Sequence, residues 1–512
     1  MALDRQSIAL HERELSNAGM IIYDSASLKE KHDKAHFLDV PFLDLATGAG
    51  GDKVMANVVA VGAVLGMLEI DVEILHHVLG ETLGRKGEDV LRSNEKAALA
   101  GRDYAAANCL RCSFIAAPHL SSKIALGTVE AIGIGAICSG CKFYSAYPMT
   151  PSTGIMLYLA DKATEYGIVV EQAEDEIAAI NMALGASFAG VRSMTATAGG
   201  GFALMVEGLS LAAMTETPVV IALGQRPAPA TGFPTRTEQA DLLFSLSAGH
   251  GEFPRVVFAP GSPEQAIKLT NKAFDLSQKY QVPAFVLFDQ YLADSLWTYA
   301  DLELGGLTYK DYRLRGEAFA SLSTYKRHAL TDTGVSPFGV PGDGPHVVVT
   351  DSDEHDEEGH IVEDAKTRKE MVNKRLFKKL PIIRDEISPP TLYGSEDAEI
   401  IVVGWGSTYG IIREAVDELA KDRSIAMLHF SEIFPFPSSP IPSGKGMKGK
   451  LDFLEALRKA RLTICVEQNA TSQFARLVRA ETGFEFAARI NRYDGRPFLK
   501  EELMGELNGY VR

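Results

Sequence analysis

Cysteine is scarce in this 512-residue chain: only Cys109, Cys112, Cys138, Cys141 and Cys465 are present. They do not form the closely spaced run that ligates a ferredoxin-type cluster, so no iron–sulfur centre is expected on this chain. The pairs CLRC and CSGC could supply four thiolates to a metal. The second pair, however, ends an apolar helical stretch, where Cys138 is expected to face the core and Cys141 to follow a glycine cap. The expectation is therefore no bound metal and, in a reducing compartment, no disulfide. Long apolar runs are also missing. No stretch of about eighteen residues escapes interruption by glycine or charge, so no membrane span is expected. Excess positive charge is missing too, and a formal net charge of -16 argues against nucleic acid as a partner. The opening MALDRQSIALHERELSN lacks the pattern of a signal peptide, which implies a cytoplasmic protein.

Three familiar signatures fail on inspection. TATAGGGFALMVEG lacks the second spaced glycine and the later acid of a dinucleotide fingerprint, and VVGWGSTYG offers only a lone GxG before a helix. The GDG at 342–344, followed by Asn373, imitates a Mg²⁺–diphosphate motif but follows a proline-rich loop instead of a strand. The acidic run DSDEHDEEGH has no glycine at its sixth position and cannot be an EF-hand loop; it reads as a solvated face.

What is present is a globular balance, 46% hydrophobic and 23% charged, with strands and helices alternating over most of the length. Residues 1–115 read as helix, strand (GMIIYDS), loop and two long helical patterns, the second half of an α/β domain lacking its first strand and glycine-rich turn. Residues 122–320 open with a helix, KIALGTVEAIGIGAICSG, and then alternate: strand CKFYSAYP, helix, strand IVVEQ, helix, strand RSMTATA, helix, strand TPVVIALGQ, strand PRVVFAP, helix, strand VPAFVLFDQ. This spacing predicts a parallel sheet covered on both faces. Residues 321–393 are rich in proline, glycine and charge and read as an interdomain arm with one charged helix. Residues 394–512 repeat the α/β pattern on a smaller scale. The fold class is α/β, multi-domain, with parallel sheets flanked by helices.

Three stretches carry chemistry. TEYGIVVEQAEDEIAAINMALGAS places Glu171, Glu174, Asp175 and Glu176 between a buried strand and an apolar helix. Such a cluster either stabilises a helix start or supplies an acid. SAYPMTPSTGIM puts Thr150 at the carboxyl end of a strand, where open α/β sheets bind ligands, with Ser152 or Thr153 as a helix cap. IALGQRPAPATGFPTRTEQAD ends a buried strand in Gln225 and Arg226 and continues into a proline-stiffened loop. Arg226 offers a planar fork for a carboxylate or phosphate, with Thr235 and Thr237 as hydroxyl donors; an ordinary ion pair of Arg226 is the alternative.

Taken in order, YPMTPST, AEDEIAAINMALGASFAG, TATAGGGFALMVEG and QRPAPATGFPTRTEQADL make the chain resemble the alpha subunit of 2-oxoacid:ferredoxin oxidoreductases, in the form with a gamma domain fused ahead of alpha. CVEQNATSQFARLVRAETG and RYDGRPF extend the resemblance to the tail. It implies a pyrimidine-binding-type domain at 122–320, a transketolase C-terminal-like domain at 394–512 and a partial gamma domain at 1–115. The family uses thiamine diphosphate and coenzyme A to decarboxylate a 2-oxoacid and passes electrons to ferredoxin. The resemblance further implies a beta subunit carrying Mg²⁺, the diphosphate and a 4Fe–4S cluster, in an (alpha-beta)2 assembly. Glu176, with Glu174 as fallback, would hold the aminopyrimidine ring; Arg226 would bind the substrate carboxylate, with Thr150 and Thr235 positioning it. The best-matched substrate is 2-oxoglutarate; pyruvate and branched-chain 2-oxoacids are alternatives. A catalytically silent scaffold or a thiolate-metal redox protein are the competing classes.

Overall fold

The computed structural model describes residues 1–109, 123–438 and 452–510. Cys112 therefore lies outside the described residues. The chain divides into two compact units, Met1–Ser121 and Ser122–Arg512.

In the first unit, Ile21–Tyr23 pairs in parallel with Phe37–Asp39. The helix Ala56–Met67 packs against Glu88–Asn108. The second strand and the helix Phe42–Gly48 occupy sequence that reads as loop, and the helix Glu73–Leu83 fills the stretch between the two long helical patterns. A three-residue strand is too short to show a period, so only its partner reveals it.

The second unit is built on a seven-stranded sheet. Its spatial order is Glu432–Phe434, Val256–Phe258, Pro283–Asp289, Val219–Gln225, Ser193–Ala198, Phe143–Ala146, Val169–Gln172. Every pairing is parallel except that of Glu432–Phe434 with Val256–Phe258. All seven residues of Val219–Gln225 and of Pro283–Asp289 are buried, the continuous apolar run that a doubly covered parallel sheet needs. One departure from the sequence reading is at the start. Ile124–Gly127 is a strand, antiparallel to Leu296–Tyr299, and the helix begins only at Thr128. Its apolar residues merge with those of the helix, and its partner stands about 170 residues away in the sequence, so local periodicity joins the two.

A second sheet holds five strands in the order Thr391–Tyr393, Ile425–Phe430, Ile400–Trp405, Leu462–Glu467, Ala488–Asn491, with only the first antiparallel. One apolar cluster joins the two sheets, drawing Phe285 from the first, Trp405 and Phe430 from the second, and Phe202 and Phe474 from the helices that pack on them.

The segment between the sheets is not a solvated connection. Arg327, His328, Lys374 and Lys379 are completely or almost completely buried and converge on buried Glu216. Glu216 is held at φ 50°, a backbone region side chains disfavour. Burial pushes its carboxyl up, but the attraction of Lys374 and Lys379 outweighs that and holds it well below the usual range. The acidic run is likewise mostly paired: Arg375 grips both oxygens of Glu354 at 2.8 and 2.9 Å, and Lys326 donates to Glu357 at 3.0 Å. Opposite charges more than a dozen residues away neutralise the run, which no local reading could reveal. Asp343 of the GDG accepts from Arg315 at 2.6 Å.

Candidate functional site

The order of the parallel strands reverses beside Phe143–Ala146: the chain runs outward to Val169–Gln172, then returns to Ser193–Ala198 on the other side. The crevice at the carboxyl ends of strands at such a reversal is where open α/β sheets bind ligands. Four segments with candidate chemistry meet there.

The first is the start of helix Glu176–Phe188. Asp175 is its cap, accepting from the Ala178 N–H at 2.7 Å. Glu171 and Glu174 are exposed, whereas Glu176 is 3% exposed. Capping therefore falls to Asp175, which leaves Glu176 free of it. The Glu176 Oε1 is buried without a hydrogen-bond partner among the described residues. Burial raises its carboxyl above the usual range, and the neighbouring Asp175 charge adds to this.

The second is the GGG turn opening helix Gly199–Met214. A Cβ on Gly201 would overlap Thr197 Oγ1 and Glu176 Oε1 and stand 2.7 Å from Glu176 Cδ. Only glycine lets the helix turn approach that carboxyl.

The third is the YPMTPST loop. Met149 Sδ lies 3.9 Å from Thr197 Oγ1, and Pro151 covers Gly224 so closely that a Cβ there would come within 2.7 Å of its ring. Ser152 stands at the N-cap of helix Thr153–Tyr166 without capping it; its Oγ donates back to the Met149 carbonyl at 2.7 Å. Neither Ser152 nor Thr153 caps as the sequence suggests, because the loop turns back on itself before the helix begins.

The fourth is the loop after Val219–Gln225. Arg226 is 8% exposed and donates through Nη1 to the Thr150 carbonyl at 2.7 Å. Arg226 and Thr150 are thus brought together, through the threonine backbone; its side chain is exposed. Thr235 is also exposed, and Thr237 is the buried hydroxyl, accepting from Tyr291 N–H at 3.1 Å. The loop is clamped to the second sheet. Gln239 N–H donates to the Gln468 carbonyl at 2.6 Å, Gln468 N–H returns to Gln239 Oε1 at 2.9 Å, and Gln239 Nε2 donates to the Trp405 carbonyl at 2.8 Å.

Two acids here escape the sequence reading. Asp241, 6% exposed, lies against Gly199, where a Cβ would stand 2.7 Å from Oδ2, and that oxygen has no partner among the described residues. Glu238 precedes it by three residues. The available signal was the return of the loop to the strand end that carries Arg226.

Cys138 and Cys141 are not among the residues of this cluster, and Cys109 is disulfide-bonded, against the expectation of no disulfide. Cys141 is buried, and burial pushes its thiol up to about 12. Cys138, expected in the core, is exposed, because the helix Thr128–Cys138 presents its last residue outward. Among the described residues no group of three or more His, Cys, Asp or Glu could hold a metal ion. No helix among them is long and apolar enough to cross a membrane. A cavity of about 600 Å³ opens on the face of helix Glu176–Phe188 that bears Ile177 and Asn181, away from the Glu176 carboxyl.

A family described as pyruvate flavodoxin/ferredoxin oxidoreductase, thiamine diphosphate-binding, matches residues 134–374, and one described as pyruvate ferredoxin/flavodoxin oxidoreductase matches residues 1–104. The chain is 40% identical over 392 residues to 2-oxoacid:ferredoxin oxidoreductase 1, subunit alpha, of Sulfurisphaera tokodaii, a match covering 73% of this chain and 59% of that protein. It is 31% identical over 379 residues to the 2-oxoglutarate synthase subunit KorA of Methanothermobacter thermautotrophicus, covering 73% of this chain and 95% of that one. In structure it is similar to the 2-oxoglutarate:ferredoxin oxidoreductase of Magnetococcus marinus with 2-oxoglutarate, coenzyme A and succinyl-CoA bound, with a TM-score of 0.87, 30% identity, and coverage of 100% of this chain and 87% of that one. The fold and these matches define an α/β oxidoreductase component with a thiamine diphosphate-binding domain. The chain belongs to the 2-oxoacid:ferredoxin oxidoreductase alpha subunits.

Proposed function

We propose that this chain is the substrate-binding half of a 2-oxoacid:ferredoxin oxidoreductase. In this reading it works with a beta subunit to convert 2-oxoglutarate and coenzyme A to succinyl-CoA and CO₂, with electrons passed to ferredoxin. The observation that carries the reading is the buried Glu176 oxygen, without a partner among the described residues, beside a side-chain-free glycine turn, at the same end of the sheet as Arg226. That pairing fits thiamine diphosphate, whose aminopyrimidine needs a carboxyl at a ring nitrogen and close backbone approach.

Thiamine diphosphate, when bound, supplies a nucleophilic carbon and an electron sink for loss of CO₂. Glu176 holds a proton at Oε1 against the pyrimidine ring; its raised affinity for protons suits a carboxyl that shares one with a weakly basic nitrogen. Arg226 binds the 1-carboxylate of the 2-oxoacid and fixes the bond that breaks. The Thr150 carbonyl holds the guanidinium in place, and the Thr150 and Thr235 hydroxyls, both solvent-facing, complete the substrate's contacts when it binds. Mg²⁺, the diphosphate and a 4Fe–4S cluster belong to the beta subunit. Exposed Tyr147, Leu204 and Phe233, on the segments that carry the site, support a partner surface there. In domain terms, residues 122–320 are the pyrimidine-binding part, 321–393 the arm, 394–512 the C-terminal part and 1–115 a gamma domain.

Support for 2-oxoglutarate comes from the Magnetococcus and Methanothermobacter relatives. The broader name of the Sulfurisphaera protein keeps pyruvate and branched-chain 2-oxoacids in view. Co-expression with a beta subunit, followed by viologen reduction with coenzyme A across several 2-oxoacids, tests the reading. Reduction with 2-oxoglutarate fastest is expected; no reduction with any 2-oxoacid by an assembled complex overturns it.

A further inference from the structure

Arg226 does not meet its substrate alone. Asp241 and Glu238 stand three residues apart on the loop that starts from Arg226, and the loop is pinned at Gln239 to the second sheet. The Asp241 N–H donates to Gln225 Oε1 at 3.1 Å, which ties this acid to the residue next to Arg226. Its carboxyl is more than nine-tenths buried over the glycine turn at Gly199, with Oδ2 unpartnered among the described residues. A buried acceptor left without a donor is costly unless it serves a ligand or a proton.

We propose that Asp241, with Glu238 acting on it through their mutual repulsion, is a positioning residue that serves as a proton-dependent countercharge to Arg226, setting how strongly the guanidinium captures the substrate carboxylate. The proposal rests on the reading that Arg226 binds that carboxylate.

The electrostatics agree with the geometry. Burial raises Asp241 to about 6, against the pull of Arg226. Burial, with the Asp241 charge behind it, raises Glu238 to about 7. From each side of Asp241 the facing groups are few. The strand end contributes Arg226 and neutral Gln225, and its own loop contributes Glu238. Helix Gly199–Met214 contributes glycine, and the helix Gln473–Thr482 contributes neutral Gln473, which bonds the Ala240 carbonyl and the Leu243 N–H. With both acids protonated, Arg226 keeps its full charge for the 2-oxoacid. As Asp241 ionises, it offsets that charge and the substrate carboxylate meets a weaker field.

The experiment measures KM and kcat for 2-oxoglutarate in the assembled alpha–beta complex from about pH 5.5 to about pH 8, spanning the range where raised carboxyls titrate. Wild type should show KM rising several-fold across this window. Asp241→Asn should flatten the rise and lower KM at the alkaline end, with kcat changed much less. Glu238→Gln, at a half-open position that tolerates substitution, should shrink the rise, and it decides the matter where the Asp241 variant does not assemble. A KM profile in Glu238→Gln and Asp241→Asn identical to wild type overturns the proposal. Arg226→Ala run alongside separates the two ideas. If it leaves KM and kcat unchanged, the substrate-site reading itself has failed; if it cripples turnover while both acid variants behave as wild type, only this inference has.

Discussion

The carboxyl of Glu176 rests on Gly201, twenty-five residues further along the chain, so closely that a single methyl at that glycine would stand 2.7 Å from its Cδ. The helix that bears the acid and the helix that follows the next strand meet here, as they do again where Gly208 faces Ile180, and the orientation of the carboxyl depends on a missing side chain.

Gly201→Ala should therefore be costly in two ways. Overpacking of this kind destabilises by about 1–3 kcal/mol, and the Glu176 carboxyl must turn away from its present position. The expected result is a lowered thermal midpoint together with lost turnover in the assembled complex. Gly200→Ala, whose Cβ would meet only the Ala230 carbonyl at 3.8 Å, is the control and should be nearly silent in unfolding experiments.

Arg226→Ala should lower kcat/KM by about 10²–10³-fold, the loss expected when one partner of a hydrogen-bonded charge pair is truncated at about 2–5 kcal/mol. Arg226→Lys should recover only part of this, because an ammonium lacks the planar fork that engages a carboxylate at two points. Steady-state kinetics of the reconstituted complex checks both. Full activity in the lysine variant would show that charge alone suffices.

Glu216 makes a prediction about stability. Glu216→Gln leaves Lys374 and Lys379 buried without their counter-ion and should destabilise by about 3–5 kcal/mol. Because its folded-state affinity for protons is depressed, the stability it contributes is present above the unfolded carboxylate value of about 4.3 and is lost as pH falls through the folded value. Chemical denaturation at pH 7 and at progressively acid pH should show wild type losing stability towards acid and Glu216→Gln losing less of it. Parallel pH curves for the two proteins would contradict this.

How much of this was legible in the sequence follows from distance along the chain. Glu176 and its neighbours could be read because the strand, cap and helix that place them are contiguous, and Asp175 takes the capping that Glu176 is thereby spared. Arg226 was legible for the same reason, at the end of a fully buried strand. Thr235 was less so: two threonines share one proline-rich loop, and only the bonds to Tyr291 and to the second sheet decide that Thr237 is the one buried. The Glu216 cluster was invisible, since its lysines lie 158 and 163 residues away and charge reads locally as solvated surface. Ile124–Gly127 was misread for want of its distant strand partner.

Glu176 is the acid proposed to serve thiamine diphosphate. The direct measurement is exchange of the thiamine C2 proton with deuterium, followed by NMR after rapid acid quench, in complexes assembled with wild-type, Glu176→Gln and Glu174→Gln chains. Exchange should collapse to the rate of free thiamine diphosphate in Glu176→Gln and stay at the wild-type rate in Glu174→Gln. Wild-type exchange in an assembled Glu176→Gln complex would contradict the account.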